Sequence, residues 1–253
     1  MNDISSAPRI ANALLHARAS GGAANLPADA IEGIELATGL RAQELVVEKV
    51  GRPIAAWKVA VTPEGTVLAA PIFDNLVFKS GAQIPLSLCG DCGMECEIAF
   101  KIGKDMPPRA AAYSAGEVAA HVESACVTAE LLHSRLPAKY RSPRNAQLAD
   151  LLSNAALVAG DPLKDWRQRD LKNITFEFCA DDKTVLARQG GHPSGDPFAG
   201  VVALTNHLSS RGMTLAAGAI VTAGSYSGVH FAPKGGHFRV RFDGFPELAF
   251  SIA

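Results

Sequence analysis

The stretch GMECEIAF, residues 93–100, alternates without a break. Met94, Cys96, Ile98 and Phe100 fall on one face of an extended segment, and Glu95, Glu97 and Ala99 on the other. A helix does not have that period of two, so the segment reads as a β-strand with one face in a core. The same pattern sets two carboxylates side by side, their Cα atoms roughly 7 Å apart and pointing the same way. In a cleft without counter-charge such a pair repels itself, and one member is driven toward protonation. Two readings stay open at this point: the carboxylates face solvent, as on many surface strands, or they face a hard divalent cation, which prefers oxygen ligands.

Around this strand the chain mixes short elements. Ile10, Ala13, Leu14 and Ala17 recur at helical intervals and stop at Gly21–Gly22, and a second helical pattern runs from about Pro27 to Val50, closed by Gly51. Beyond it AAWKVAVT alternates, with Trp57, Val59 and Val61 on one face and Lys58, Ala60 and Thr62 on the other. Ser114 and Glu117 form a capping box that opens a helix through AGEVAAHVESA. VTAELLHSR reads as a strand, QLADLLSNAAL as a short helix, and NITFEFCA with KTVLARQ as a hairpin turning at Asp181–Asp182. Asp196–Pro197 starts a helix with a buried stripe of Val201, Leu204 and Leu208, and AIVTAGSYS, HFRVRFD and ELAFSI close the chain as strands. Helices scattered among many short strands do not make regular βαβ units, so the expected class is α+β on a large bent or rolled sheet. The expected organisation is an N-terminal helical segment, residues 1–52, packed on a β-rich domain, residues 53–253.

Hydrophobic residues make up 48% of the 253 positions, enough for a substantial core. The net charge of −1 and the lack of a basic run point away from nucleic acid and from anionic membrane surfaces. No apolar run approaches the roughly 20 residues of a membrane span, and MNDISSAPRI lacks the apolar stretch of a signal peptide, so the expectation is a soluble cytoplasmic protein. Three of the five cysteines cluster as Cys89, Cys92 and Cys96, but no fourth follows at ligand distance and Cys96 shares the apolar strand face. They read as small buried or loop thiols rather than a zinc or iron–sulfur site.

Other polar residues are ambiguous one by one. Glu130 sits among apolar neighbours in VTAELLHSR and wants a partner. Lys58 lies on a strand face with Ala60 and Thr62, which is either a pocket wall or plain surface. AGSYSG places Gly224, Ser225 and Gly228 where backbone N–H groups could hold an anion or simply make a tight turn. Tyr226 at its centre removes the Gly-x-Ser-x-Gly pattern of a serine hydrolase.

Taken in order, WKVAVT, MECEIAFKIGKDMP, AELLHSR, GHP and LAAGAIVTAGSYSG resemble the 2-keto-4-pentenoate hydratase family. That family lies within the fumarylacetoacetate hydrolase superfamily and includes the 4-oxalocrotonate decarboxylases. The resemblance runs from about Arg9 to the C-terminus. It implies the mixed β-roll or sandwich of the fumarylacetoacetate hydrolase C-terminal domain, behind N-terminal helices. It also implies Mg²⁺ or Mn²⁺ held by Glu95, Glu97 and Glu130, a 2-oxo or 2-hydroxydienoic acid as the small-molecule partner, and a homo-oligomer. Lys58 stands at the active-site lysine, and Ser225, with Gly224 and Arg135, at the substrate. The reaction implied is hydration of a 2-hydroxy-2,4-dienoate. Decarboxylation of a 2-oxo-enedioate, carbon–carbon hydrolysis of an acylpyruvate with His133 as the catalytic base, and an inactive paralogue that only binds a 2-oxo acid are the alternatives. The chain departs from the family pattern in three places. His133 replaces the aspartate of EIVDSR, Ile72 takes an acidic position with Asp74 two residues later, and LSNAA keeps Asn154 but not the aspartate of ADNA.

Overall fold

The computed structural model describes residues 4–90, 92–232 and 235–253. Its helices are α1 (Ala7–Ser20), α2 (Ala28–Ile31), α3 (Leu36–Val50), α4 (Leu86–Cys89), α5 (Ala115–His121), α6 (Arg144–Ala149) and α7 (Pro197–Ser210). The strands are β1 (Ile54–Val61), β2 (Val67–Phe73), β3 (Val77–Lys79), β4 (Gln83–Ile84), β5 (Gly93–Ile102), β6 (Val122–Leu132) and β7 (Asn154–Ala159). They continue as β8 (Thr175–Ala180), β9 (Lys183–Gln189), β10 (Ile220–Thr222), β11 (His230–Phe231), β12 (Gly236–Phe242) and β13 (Leu248–Ile252). One mixed sheet has the order β2-β1-β10-β5-β6-β7-β3, with β11 also on β5, and a second has the order β4-β13-β12-β8-β9. This is the expected α+β class built on mixed sheets.

The alternation of β5 sets the layering. Met94, Cys96, Ile98 and Phe100 lie in one apolar core with Phe176 and Phe178 of β8 and Phe238 and Val240 of β12, so the two sheets share that core. Helix α7 joins it through Val201, Leu204 and Leu208. Asp196 caps the helix by accepting from the Phe198 N–H, and Pro197 occupies its first turn. The helix comes so close to the sheet that a Cβ on Gly200 would lie 2.8 Å from the Ala223 Cβ. A second core lies on the other side of the large sheet. There Ile10, Leu14 and Ala17 of α1, Ala42 and Val46 of α3, and Ala146 and Ala149 of α6 pack with Ala70 and Phe73 of β2. No helix among the described residues is long and apolar enough to cross a membrane.

Three sequence-based boundaries shift. The pattern from Pro27 to Val50 breaks into α2 and α3 around Gly33, whose φ is +66°. The helix opened by the Ser114–Glu117 capping box ends at His121, because Val122 already enters β6 and pairs along β5. QLADLLSNAAL is not one helix: α6 ends at Ala149, a left-handed turn follows at Leu151–Ser153, and Asn154 starts β7. The hairpin at Asp181–Asp182 is as expected, with both aspartates at positive φ.

Candidate metal centre

Four neighbouring strands bring the polar side chains together. β1, β10, β5 and β6 lie side by side, with Lys58 opposite Thr222 and Glu95 directly opposite Glu130. Successive strands lie about 4.8 Å apart, so side chains on one face at matching register converge. One oxygen from each of Glu95, Glu97 and Glu130 lies within 4.8 Å of the others. Glu97 and Glu130 are buried and Glu95 is half-buried, so the carboxylate face of β5 is the wall of a cavity. That cavity measures about 710 Å³ and also takes Lys58, Thr222 and Ser225 into its lining.

The charges in it do not balance. Lys58 Nζ lies 2.6 Å from Glu130 Oε1 and donates to the Leu152 carbonyl at 3.1 Å. Burial disfavours the ammonium, but Glu130 and Glu95 outweigh it and hold Lys58 above the ordinary lysine value. Burial, then the charges of Glu130 and Glu95, push Glu97 up to about 8, although Thr222 Oγ1 and the Gly224 N–H both donate to its Oε2. Burial pushes Glu130 up to about 7 in spite of Lys58. No donor among the described residues hydrogen-bonds Glu130 Oε2. Three acids against one ammonium, with a buried carboxylate oxygen lacking a donor among the described residues, suits a hard divalent cation better than a closed ion-pair network.

The carbonyl that holds Lys58 comes from a costly piece of backbone. Leu151, Leu152 and Ser153 sit at φ +52°, +51° and +62°, three successive non-glycine residues in the left-handed region. The turn persists because its ends are tied: the Ser153 N–H donates to the Asp150 carbonyl and the His133 N–H to the Ser153 carbonyl. Across the cavity, Gly224 has φ +116°, and a Cβ there would lie 2.9 Å from His192 Nε2. His192 Nε2–H donates to the Ala223 carbonyl at 3.0 Å, which leaves Nδ1 to accept from Ser194 Oγ at 3.0 Å. Burial lowers the His192 pKa, consistent with a neutral ring that shapes this turn.

The structure sorts the sequence candidates. Glu95, Glu97, Glu130, Lys58, Gly224 and Ser225 line one cavity. The Gly224 N–H is engaged by Glu97, and Ser225 Oγ by Ser227 Oγ and the Gly228 carbonyl. His133 and Arg135 are corrections: they follow the end of β6 and line a different cavity, so neither joins the carboxylates. Ile72 is wholly buried with Ala56 and Leu157, and Asp74 is exposed in an ion pair with Arg52 at 2.8 Å, so neither supplies an acid to the carboxylate cavity. Tyr226 is a core anchor whose hydroxyl donates to the Leu171 carbonyl. Cys96 lies in the apolar core, on the strand face opposite the glutamates. Sequence reasoning missed Thr222, Leu152, His192, Arg144 and Arg188. Thr222 and His192 lay inside the quoted AGAIVTAGS and GHP stretches, whereas Leu152 acts through its backbone and the arginines enter from separate elements.

No family model matches the chain. The 2-keto-4-pentenoate hydratase of Paraburkholderia xenovorans (strain LB400) is 26% identical over 198 residues, 77% of this chain and 72% of that protein. The 4-oxalocrotonate decarboxylase from Pseudomonas putida G7, solved with magnesium and adipate, superposes with a TM-score of 0.81 at 18% identity, covering 99% of this chain and 97% of that one. Fumarylpyruvate hydrolase from Pseudomonas aeruginosa, solved with Mn²⁺ and pyruvate, gives 0.59 at 15% identity over 78% and 88%. The chain thus shares the fold of these solved enzymes, and its sequence is similar to that of a 2-keto-4-pentenoate hydratase.

Proposed function

We propose that the chain is a divalent-cation-dependent hydro-lyase that adds water to a 2-hydroxy-2,4-dienoate of the 2-keto-4-pentenoate type in aromatic catabolism. The product is a 4-hydroxy-2-oxo acid. The observation that supports it most is the buried Glu95–Glu97–Glu130 cluster with Lys58 Nζ at 2.6 Å from Glu130, in a chain whose sequence relative is a hydratase. The three glutamates would hold the ion, Mg²⁺ or Mn²⁺ by the hardness of its ligands. When bound, such an ion supplies a Lewis acid for the oxygens of a 2-oxo acid. Lys58, kept as an ammonium by the surrounding carboxylates, offsets negative charge developing on the C2 oxygen and exchanges a proton with the substrate as the enol becomes a ketone. Water then adds its oxygen at C4 and a proton at C3 of the unsaturated ketone. Ser225 lines the same cavity, and its hydroxyl would donate to the substrate carboxylate.

A second reading, decarboxylation of a 2-oxo-enedioate, is favoured by Arg144 and Arg188, which line the cavity and would face a second carboxylate. One experiment separates the readings. The purified protein, with Mg²⁺, with Mn²⁺ and after chelation, is given 2-hydroxypenta-2,4-dienoate and, separately, 2-oxohex-3-enedioate, and products are followed by proton NMR and carbon dioxide release. Metal-dependent 4-hydroxy-2-oxopentanoate is the expected result. Carbon dioxide from the enedioate alone supports the second reading, and no turnover of either substrate leaves acylpyruvate hydrolysis and the binding paralogue.

A further inference from the structure

A second cavity, about 230 Å³, opens where α1 meets the end of β2 and the segment after β6. Its side chains carry the opposite charge to the carboxylate pocket. Arg18, Arg52, Arg135 and His133 line it, and no acidic side chain among the described residues does. Arg52 is matched at the surface by Asp74. Arg18 and Arg135 are not matched in this way. Their side chains are 13% and 6% exposed, and both depend on one wholly buried carboxylate, Asp150, at 3.7 and 3.5 Å from its Oδ1. Asp150 Oδ2 already accepts from the Arg135 backbone N–H at 2.8 Å.

The Arg135 guanidinium donates to the carbonyls of His133 and Asn154, which fixes it in place. Arg18 has less support. Its Nη2 donates to the Asp150 carbonyl at 3.3 Å, and its buried Nε has no partner among the described residues. Burial, then repulsion from Arg135, pull Arg18 down to about 9, so the cation is held at a cost that Asp150 does not offset. A planar guanidinium with an N–H left free by the described residues, beside a second guanidinium and a lining of basic and neutral side chains, matches an oxyanion that accepts two parallel hydrogen bonds. At about 30 Å³ per water, the space suits a small ion or short acid rather than a large ligand.

We propose that this cavity is a binding site for a small oxyanion, a carboxylate or phosphate group held against Arg18 and Arg135, with Ser87 and Asn75 on its rim. The site stands apart from the carboxylate cluster and does not depend on the reaction assigned there.

Inorganic phosphate and succinate are the probes, titrated by calorimetry into the Mg²⁺-loaded protein and into three variants. Either probe, or both, should bind saturably to wild type, and phosphate alone or succinate alone tells which group the site selects. Glu97→Gln, which alters only the carboxylate pocket, should bind the same probe with unchanged affinity. Arg18→Gln should weaken it at least tenfold. Because removing a buried arginine can also hinder folding, Ser87→Asp serves as a second variant: it adds a fixed negative charge on the exposed rim and should weaken the probe by a similar factor. The proposal is overturned if neither probe binds, if Ser87→Asp binds like wild type, or if binding is lost in Glu97→Gln and kept in the other two.

Discussion

The two buried charge clusters of this molecule are near mirror images. On one face of the large sheet three glutamates share one lysine, and beside α1 two arginines share one aspartate. Each cluster buries an excess of one sign, which a low-dielectric interior tolerates poorly. Each holds a buried polar atom with no hydrogen-bond partner among the described residues, Glu130 Oε2 in the first and Arg18 Nε in the second. The difference lies in geometry. The glutamates project from neighbouring rigid strands and converge within 4.8 Å, the arrangement for a small point charge. The arginines approach from a helix and a post-strand segment with planar donors, the arrangement for a broader anion. Excess charge of either sign thus marks a place where the chain expects company.

The largest effect that tests the first half of this comparison comes from Glu97→Gln. The amide oxygen can still accept from Thr222 and Gly224, so the fold is kept while the ligand charge is removed. Turnover should fall by at least on the order of a hundredfold, more than the loss of a supporting residue alone. Mg²⁺ and Mn²⁺ affinity by calorimetry should fall with it, and equal affinity in both proteins would remove the glutamates from the metal centre.

Lys58→Met should lower dienoate hydration by roughly a hundredfold, the range for losing a positioned acid–base group. Cation affinity should hold or rise, because the neighbouring positive charge is gone. Near-normal turnover would return Lys58 to a structural partner of Glu130, and weaker cation binding would contradict the geometry of the pocket.

A smaller effect is the pH dependence of the metal-free fold. Glu97 and Glu130 are raised to about 8 and about 7, so between the unfolded carboxylate value and those values the native state keeps protons that the unfolded chain has lost. Their contribution is therefore fully present below about pH 4.5 and is lost as pH climbs toward 8. The gap in Tm between metal-loaded and metal-free protein should widen from pH 5 to pH 8. A constant gap would mean that the carboxylates do not repel one another as buried neighbours. Glu97→Gln should flatten the metal-free curve.

How much of this was legible in the sequence follows from the range of each interaction. The glutamate face of β5 was readable because a period of two places side chains without knowledge of the fold, and Glu130 and Lys58 came from motif order. The α+β class followed from the same local patterns. The family resemblance sets His133 and Arg135 in the site, but the chain leaves β6 at Leu132 and turns both toward α1. The substitution of His133 for an aspartate falls beside the arginine pair, not in the carboxylate pocket. The helix read across QLADLLSNAAL failed for a related reason: Leu and Asn are ordinary helix residues, and only tertiary ties hold Leu151–Ser153 left-handed.

That turn joins the two clusters, since Asp150 lies between the arginines and the Leu152 carbonyl holds Lys58. Ser153 is the member whose side chain is best suited to change, because Leu151 is buried in the helical core. At an ordinary position glycine is less stable than alanine by roughly 0.5–1 kcal/mol, through its greater freedom in the unfolded chain. At φ +62° the order should reverse, because alanine retains a left-handed penalty of about 1–2 kcal/mol that glycine avoids. Ser153→Gly should therefore be more stable than Ser153→Ala by several tenths to about 1 kcal/mol in urea unfolding, after the two opposing contributions are set against each other. Lys58 keeps its carbonyl partner in both variants, so their turnover should differ little. If the alanine variant proves the more stable, Ser153 is not held left-handed in solution, and the tie between the carboxylate pocket and the arginine cavity through this turn fails with it.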